Sequence, residues 1–378
     1  MKANRRQFLT ATAAATAGLT LPASELFAKE KAAKPLNILF LGGTGFIGPH
    51  MVRDCVQRGH KVTLFNRGSK KEMFPELETI VGDRDPNNGE GLNGLKGRTF
   101  DCVVDTSGYL PRHVEGSAEL MKAQAKHYLF ISTVAVYDNF SVKGADENHT
   151  LGSLEDPTVE EITGTTYGPL KVYCEQMVTK HFPDNHTILR PTYIIGPGDH
   201  TDRFIHYIDR PMKGGRMAMP GTPDNYISYV DVRDLAAHTT RCLENGIVDT
   251  QNMVSPPNSS TWGEYLELSL SLSKADVDVE WLPTEFLKTQ EGFDGMWSPF
   301  PMWMDNNNPT LGQFSSMSQT RAIKTGFSNR PFRDTVVDSF NWWMQQSEER
   351  RTTKKRDNFP MAREESLLKA WDEYKAKS

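Results

Sequence analysis

Leu36-Asn37-Ile38-Leu39-Phe40-Leu41-Gly42-Gly43-Thr44-Gly45-Phe46-Ile47-Gly48 decides the fold. The apolar run has the length of one strand and ends at glycines, the pattern of a parallel strand buried on both faces. The glycines fit a dinucleotide fingerprint in two registers, Gly43-x-Gly45-x-x-Gly48 and Gly42-x-x-Gly45-x-x-Gly48. Each has a mechanical reason: a tight turn, a close approach of backbone to pyrophosphate, and close packing of the next helix on the sheet. Ile47, Met51, Val52, Cys55 and Val56 share one face of a helix. Pro49 suits its first turn and Gly59 its end. Lys61-Val62-Thr63-Leu64-Phe65 closes the βαβ unit. Pyrophosphate would lie on the amides that open the helix, at Thr44, Gly45, Phe46 and Ile47.

The end of the second strand bears on which dinucleotide is taken. An acidic residue there suits the ribose hydroxyls of NAD, but this chain has Asn66-Arg67-Gly68. Asn66 does not repel a 2′-phosphate and Arg67 can pair with one, so the expectation is NADP.

Further strands are predicted at Ile80-Val81, at residues 100–105 and at residues 127–131. A helix is expected over residues 118–124, another from Tyr167, a sixth strand over residues 186–189, and a strand over 227–230 that enters a helix. Alternating strands and helices imply an α/β fold, a doubly wound Rossmann sheet with right-handed crossovers. Gly42, Asn66, Asp83, Thr106 with Ser107, and Thr133 fall at successive strand ends, where ligands bind in such sheets. Residues 36–191 and 226–254 form the expected dinucleotide domain. Residues 192–225 and 255–345 form a smaller substrate lobe, and 346–378 a helical tail that docks or self-associates. The polar segment 138–165 reads as a long loop over the site.

The start reads separately. Asn4-Arg5-Arg6-Gln7-Phe8-Leu9 precedes an Ala/Thr-rich run, with Leu26-Phe27-Ala28 as a cleavage site. The pattern resembles a twin-arginine export signal over residues 1–28, which implies the export machinery as a partner and a periplasmic destination. The run is too short and too rich in small residues for a membrane span. Net charge is −5, and Arg350-Arg351 with Lys354-Lys355-Arg356 follow glutamates as a solvated face, so no nucleic acid partner is expected. Cys55, Cys102, Cys174 and Cys242 are dispersed and read as buried thiols, and no spacing suggests a metal site.

Tyr167 and Lys171 stand one helical turn apart. A neighbouring ammonium favours the phenolate and lowers the phenol from its usual value of about 10. Such a tyrosine exchanges the proton of a secondary alcohol, and Thr133 at a strand end holds the substrate oxygen toward it. Tyr193 and Arg203 are expected to line the cleft from the second lobe, Arg203 facing an anionic or polyhydroxylated substrate or forming an interlobe ion pair. Trp281, Phe286, Phe293, Trp297, Phe300 and Trp303 are read mainly as lobe core.

With the glycine loop, Gly82-Asp83, Ser132-Thr133-Val134-Ala135-Val136-Tyr137, Tyr167-x-x-x-Lys171 and Leu189-Arg190-Pro191, the chain resembles the extended short-chain dehydrogenase/reductase family. The resemblance implies catalytic roles for Thr133, Tyr167 and Lys171, with Lys171 also on the cofactor. Its Asn-Arg-Gly turn looks like the branch that includes chloroplast stem-loop-binding proteins. Val134-Ala135 replace the Asp-Glu of sugar-nucleotide dehydratases, and Pro191-Thr192-Tyr193 lacks the Asn of many sugar-nucleotide epimerases. The expectation is an NAD(P)-dependent oxidoreductase or epimerase acting on a sugar-like small molecule with a tightly held cofactor. The alternatives are a non-catalytic dinucleotide-binding protein and an RNA-binding protein.

Overall fold

The computed structural model of the chain describes residues 31–85, 87–293, 299–353 and 359–377. The Arg5-Arg6 signal, Leu26-Phe27-Ala28, Trp297 and Lys354-Lys355-Arg356 lie outside them. The first half alternates β1 (Asn37–Leu41), α1 (Ile47–Gln57), β2 (Lys61–Asn66), β3 (Glu78–Val81), β4 (Phe100–Asp105), α2 (Pro111–Met121), β5 (Ala125–Ile131), α3 (Tyr167–His181) and β6 (His186–Pro191). Next come β7 (Ile194–Ile195), α4 (Ile205–Asp209), β8 (Gly215–Pro220), β9 (Val230–Asp231), α5 (Val232–Asn245) and β10 (Asp249–Met253). The last third holds α6 (Trp262–Leu272), β11 (Val277–Leu282), α7 (Thr284–Leu287), α8 (Thr320–Lys324), α9 (Phe332–Met344), α10 (Glu348–Thr352) and α11 (Met361–Lys375).

Seven strands form one sheet in the order β10-β6-β5-β4-β1-β2-β3, and every pairing is parallel. This is the doubly wound Rossmann arrangement, with the change of winding direction between β1 and β4. The alternation along β1 shows why its sequence is apolar throughout. Ile38 and Phe40 enter the core under α1 and α5, while Leu39 and Leu41 enter the core under α2 and α3. Both faces are covered, so neither tolerates polar side chains. The four cysteines are buried free thiols.

A separate apolar core lies in the second lobe, around the parallel pair β8–β11 and helices α4, α6, α9 and α11. Trp281, Phe286, Phe293, Phe300 and Trp303 pack in it as lobe core. The tail helix α11 docks there too. Its Glu364 forms a buried ion pair with Arg210 at 2.5 Å, and Trp371 packs on the Phe286 ring. Among the described residues no helix is long and apolar enough to cross a membrane.

Several boundaries differ from the sequence reading. The helix expected at 118–124 begins at Pro111 and ends at Met121. Proline suits the first turn, where no N–H acceptor exists, and Val114, Ser117, Ala118 and Met121 make the buried face. The strand expected over 227–230 pairs only at Val230–Asp231, and Asp231 then caps α5 by accepting from the Arg233 amide at 2.8 Å. The first part of the 138–165 segment is not a free cover. Phe140, Ala145 and Glu147 are buried, and Glu147 accepts from the Asn252 amide at 2.8 Å. These buried side chains pin the first part of the segment at intervals between exposed residues, and the part after residue 152 is almost wholly exposed.

Candidate active site

The glycine loop shows what it is shaped to hold. Gly42 and Gly43 have φ of +101° and +87°, which side chains disfavour. A Cβ on Gly48 would lie 2.5 Å from the Gly43 carbonyl carbon, so the helix start can approach the turn only without one. A Cβ on Gly45 would meet nothing within 4 Å. Gly45 is therefore not needed by the protein's own packing, and the space it leaves faces outward above the first-turn amides of α1. Those amides lack intrahelical acceptors by geometry. A pyrophosphate fits this cradle in charge and shape.

Neighbouring strand ends brace it. Asn66 donates to the Gly42 carbonyl at 3.3 Å and accepts from the Gly68 amide at 2.8 Å. Thr106 Oγ1 accepts from the Gly43 amide at 3.3 Å, and the Thr106 and Ser107 hydroxyls both donate to the Leu41 carbonyl at 3.1 Å. Arg67 is exposed and in no ion pair among the described residues. Lys70 reaches the Thr44 carbonyl at 3.3 Å, a second cation at the same corner. Asp83 turns both carboxylate oxygens into its own loop, accepting from the Asp85 amide at 3.0 Å and from Asn88 Nδ2 at 2.7 Å.

Beneath the loop is a network the sequence reading missed. Arg84 pairs with the fully buried Asp105, donating to Oδ2 at 2.7 Å, and also bonds Ser107 and Ser117. Tyr128 donates to the same Asp105 carboxylate at 2.8 Å. Burial disfavours a charged Asp105, but the Arg84 guanidinium holds its carboxyl below the usual range. The available signal was a carboxylate directly after the apolar Cys102-Val103-Val104.

Thr133 and Tyr167 come together. Thr133 leaves β5 in extended backbone, and its hydroxyl accepts from the Ala135 amide at 3.1 Å. It stands beside the Tyr167 phenol and opposes the rise in that phenol's pKa. Gly168 makes this approach possible, because a Cβ there would run into the Ala135 carbonyl oxygen. Tyr109, also missed, places its ring 6.5 Å from that of Tyr167 and exposes half its surface at the rim.

Lys171 departs from the sequence reading. Its buried ammonium donates to the Gly108 carbonyl at 2.7 Å and the Ile131 carbonyl at 2.8 Å, and sits 3.9 Å from the centre of the Phe130 ring. It thereby ties the ends of β4 and β5 together rather than lowering the phenol. Burial pushes the Tyr167 phenol up to about 12. Tyr109 adds to the rise, while the Thr133 hydroxyl and the Arg203 charge oppose it. Burial also pushes Lys171 down to about 8. At neutral pH the phenol therefore carries its proton and the ammonium its charge.

Tyr193 and Arg203 complete the second-lobe side. The Arg203 guanidinium lies 5.2 Å from the centre of the Tyr193 ring and donates to Thr201 Oγ1 at 3.1 Å. It forms no ion pair among the described residues, so the interlobe salt bridge is not what this arginine makes. Its neighbour Asp202 is buried with φ of +58°, an uncommon conformation for a non-glycine residue. Arg350 of α10 grips that carboxylate at 2.9 and 2.5 Å and lies over Trp343.

Residues 38–253 match the profile of the NAD dependent epimerase/dehydratase family. Among curated relatives, a chloroplast stem-loop binding protein of Arabidopsis thaliana is 25% identical over 233 residues, 55% of this chain. A 2-alkyl-3-oxoalkanoate reductase of Stenotrophomonas maltophilia is 27% identical over 220 residues, 53% of this chain. The chain spans 55% and 64% of the length of these two relatives. A solved UDP-glucose 4-epimerase superposes with a TM-score of 0.61 at 18% identity, over 82% of this chain and 98% of that one. That likeness is one of fold.

Proposed function

The chain belongs to the NAD dependent epimerase/dehydratase family, and from that premise we propose that it is an NAD(P)-dependent oxidoreductase or epimerase acting at a hydroxyl/carbonyl carbon of a sugar-like substrate. The observation that carries this reading is that the close packing of Gly168 on the Ala135 carbonyl sets Tyr167 beside Thr133, with the charge of Arg203, unpaired among the described residues, acting on the same phenol. A protein that only bound dinucleotide would need the cradle but not this hydroxyl pair.

Gly42, Gly45, Asn66, Thr106 and Ser107 would hold the dinucleotide, which when bound supplies hydride exchange with a carbon bearing oxygen. The protein's own groups handle the proton and the orientation. Thr133 fixes the substrate oxygen near the phenol. Tyr167, which carries its proton at neutral pH, gives it to that oxygen as a carbonyl is reduced and recovers it when an alcohol is oxidised. Lys171, one turn along α3 from Tyr167, fixes the ends of β4 and β5, the second of which leads into Thr133, and keeps a positive charge there below about pH 8. Arg203 favours developing negative charge on the substrate oxygen.

Two finer readings belong to the same proposal. NADP is favoured over NAD because Asn66 ends β2 where NAD sites place a carboxylate, with the cations Arg67 and Lys70 close by. The Arg5-Arg6 run supports export to the periplasm. Outside the cytoplasm no pool of free dinucleotide is expected, so the cofactor must stay bound and the reaction must be redox-neutral or regenerate it. An epimerase fits that requirement, as does a reductase that oxidises a second substrate.

The test is to purify the exported fraction without added cofactor and assay it on a panel of sugars. Retained dinucleotide with turnover and no added NAD(P)H is expected. Rapid loss on desalting, with activity needing stoichiometric NADPH, would remove the retention reading. Retention of RNA at physiological salt without turnover would replace the proposal.

A further inference from the structure

A cavity of about 460 Å³ lies between the turn at Lys143 and Gly144, residues 257–258 and residues 316–324. None of the strand-end residues described above lines it. Its walls are of two kinds. Pro257 and Ile323 present apolar surface, and Ile323 is an exposed large hydrophobic residue. Lys143 and Lys324 stand exposed on it, and neither has a carboxylate partner among the described residues. In a chain of net charge −5, two ammoniums on one cavity with no counter-charge are a local reversal of sign.

The decisive group is Gln319. It lines the same cavity, is only 8% exposed, and its Oε1 has no hydrogen-bond partner among the described residues. A buried acceptor left unpaired is costly, so its retention calls for a donor that the chain does not supply. The Ser316 and Ser318 hydroxyls are already committed. Ser318 donates to Thr320 Oγ1 at 2.9 Å, and Ser316 donates to the Gln313 carbonyl at 2.8 Å.

The complement of these walls is a ligand with negative charge for the lysines, a hydroxyl donor for Gln319 and a carbon face for Pro257 and Ile323. We propose that the cavity is a second ligand site, separate from the dinucleotide site, for a small polyhydroxylated anion such as a sugar phosphate or a sugar acid. Lys143 and Lys324 take the anionic group and Gln319 Oε1 accepts from a hydroxyl. Occupancy would bear on the 138–165 segment, because the Gly144 amide donates to Ser316 Oγ at 3.2 Å and the Ala145 carbonyl accepts from the Ser318 amide at 2.9 Å.

Calorimetric titration of the full chain with glucose 6-phosphate, glucuronate, glucose and inorganic phosphate tests this. At least one of the two sugar anions should bind, and their ranking distinguishes a phosphate from a carboxylate ligand. Glucose and inorganic phosphate should each bind at least about tenfold more weakly. Binding should fall at least about tenfold in the Lys143→Glu/Lys324→Glu double variant, whose sites are exposed and tolerate the change, and also in Gln319→Glu, which keeps the size and adds repulsion. It should persist in Arg203→Met, which alters the strand-end site. The proposal is overturned if neither sugar anion binds, if inorganic phosphate or glucose binds as well as they do, or if binding is lost in Arg203→Met and kept in the double-lysine variant.

Discussion

Two sides of the same cleft are fixed in opposite ways. Thr133, Tyr167 and Lys171 are held by backbone close at hand. Gly168 lets α3 touch the turn after β5, and Lys171 clamps the carbonyls of Gly108 and Ile131. Arg203 is held from far away. Its neighbour Asp202 has a left-handed backbone, and Arg350, 148 positions along the chain, grips its carboxylate. The side that would move the proton is built into the sheet, while the side that would meet the substrate is anchored through α10. Such a division lets one chemistry serve different substrates.

The largest expected effect tests the sheet side. Lys171 is pushed down to about 8 in the folded chain against about 10.4 unfolded. Between those values the unfolded state binds more protons, so stability rises with pH there. Relative to Lys171→Met, the wild type should gain up to about 3 kcal/mol between pH 8 and 10.5 in denaturant titrations. A pH-independent gap would mean that the buried charge is not held as described. Next is turnover: Tyr167→Phe should lose at least about a hundredfold while binding dinucleotide nearly as before. Near-normal activity on an identified substrate would remove Tyr167 from its role.

The remote side should respond more mildly. Arg350→Met frees Asp202 and should cost about tenfold, mainly in KM, with Arg350→Lys partly restoring it. An effect as large as that of Tyr167→Phe would break the division between the two sides. The smallest effect is expected at Arg67→Asp, a several-fold shift from NADP toward NAD in paired titrations. An unchanged preference would leave Arg67 a surface residue.

The same contrast explains what could be read from sequence. Strands buried on both faces advertise themselves, so β1, β2, β4, β5 and β6 were legible as apolar runs ending at Gly42, Asn66, Thr106 and Thr133. The seventh strand, Asp-Thr-Gln-Asn-Met, was not. Its Gln251 and Asn252 are buried but satisfied by His238, Thr325, Tyr137 and Glu147, partners that no periodicity reveals. Helix α2 was placed late because its first turn is polar. The Arg84–Asp105 and Asp202–Arg350 pairs were invisible for the same reason, since they join residues distant in sequence. Tyr167 and Lys171 could be paired from their spacing, but the burial that raises the phenol and lowers the ammonium is a property of the assembled site.

The glycine loop is open for a dinucleotide rather than for the chain itself, and replacing Gly45 separates the two. A Cβ there meets nothing, so Gly45→Val should fold with an unchanged Tm. Native mass spectrometry of both proteins after titration with NAD and NADP is the measurement. The expected result is one dinucleotide per wild-type chain and none on Gly45→Val. A wild type that takes up neither, or a variant that binds as tightly as wild type, would contradict the account.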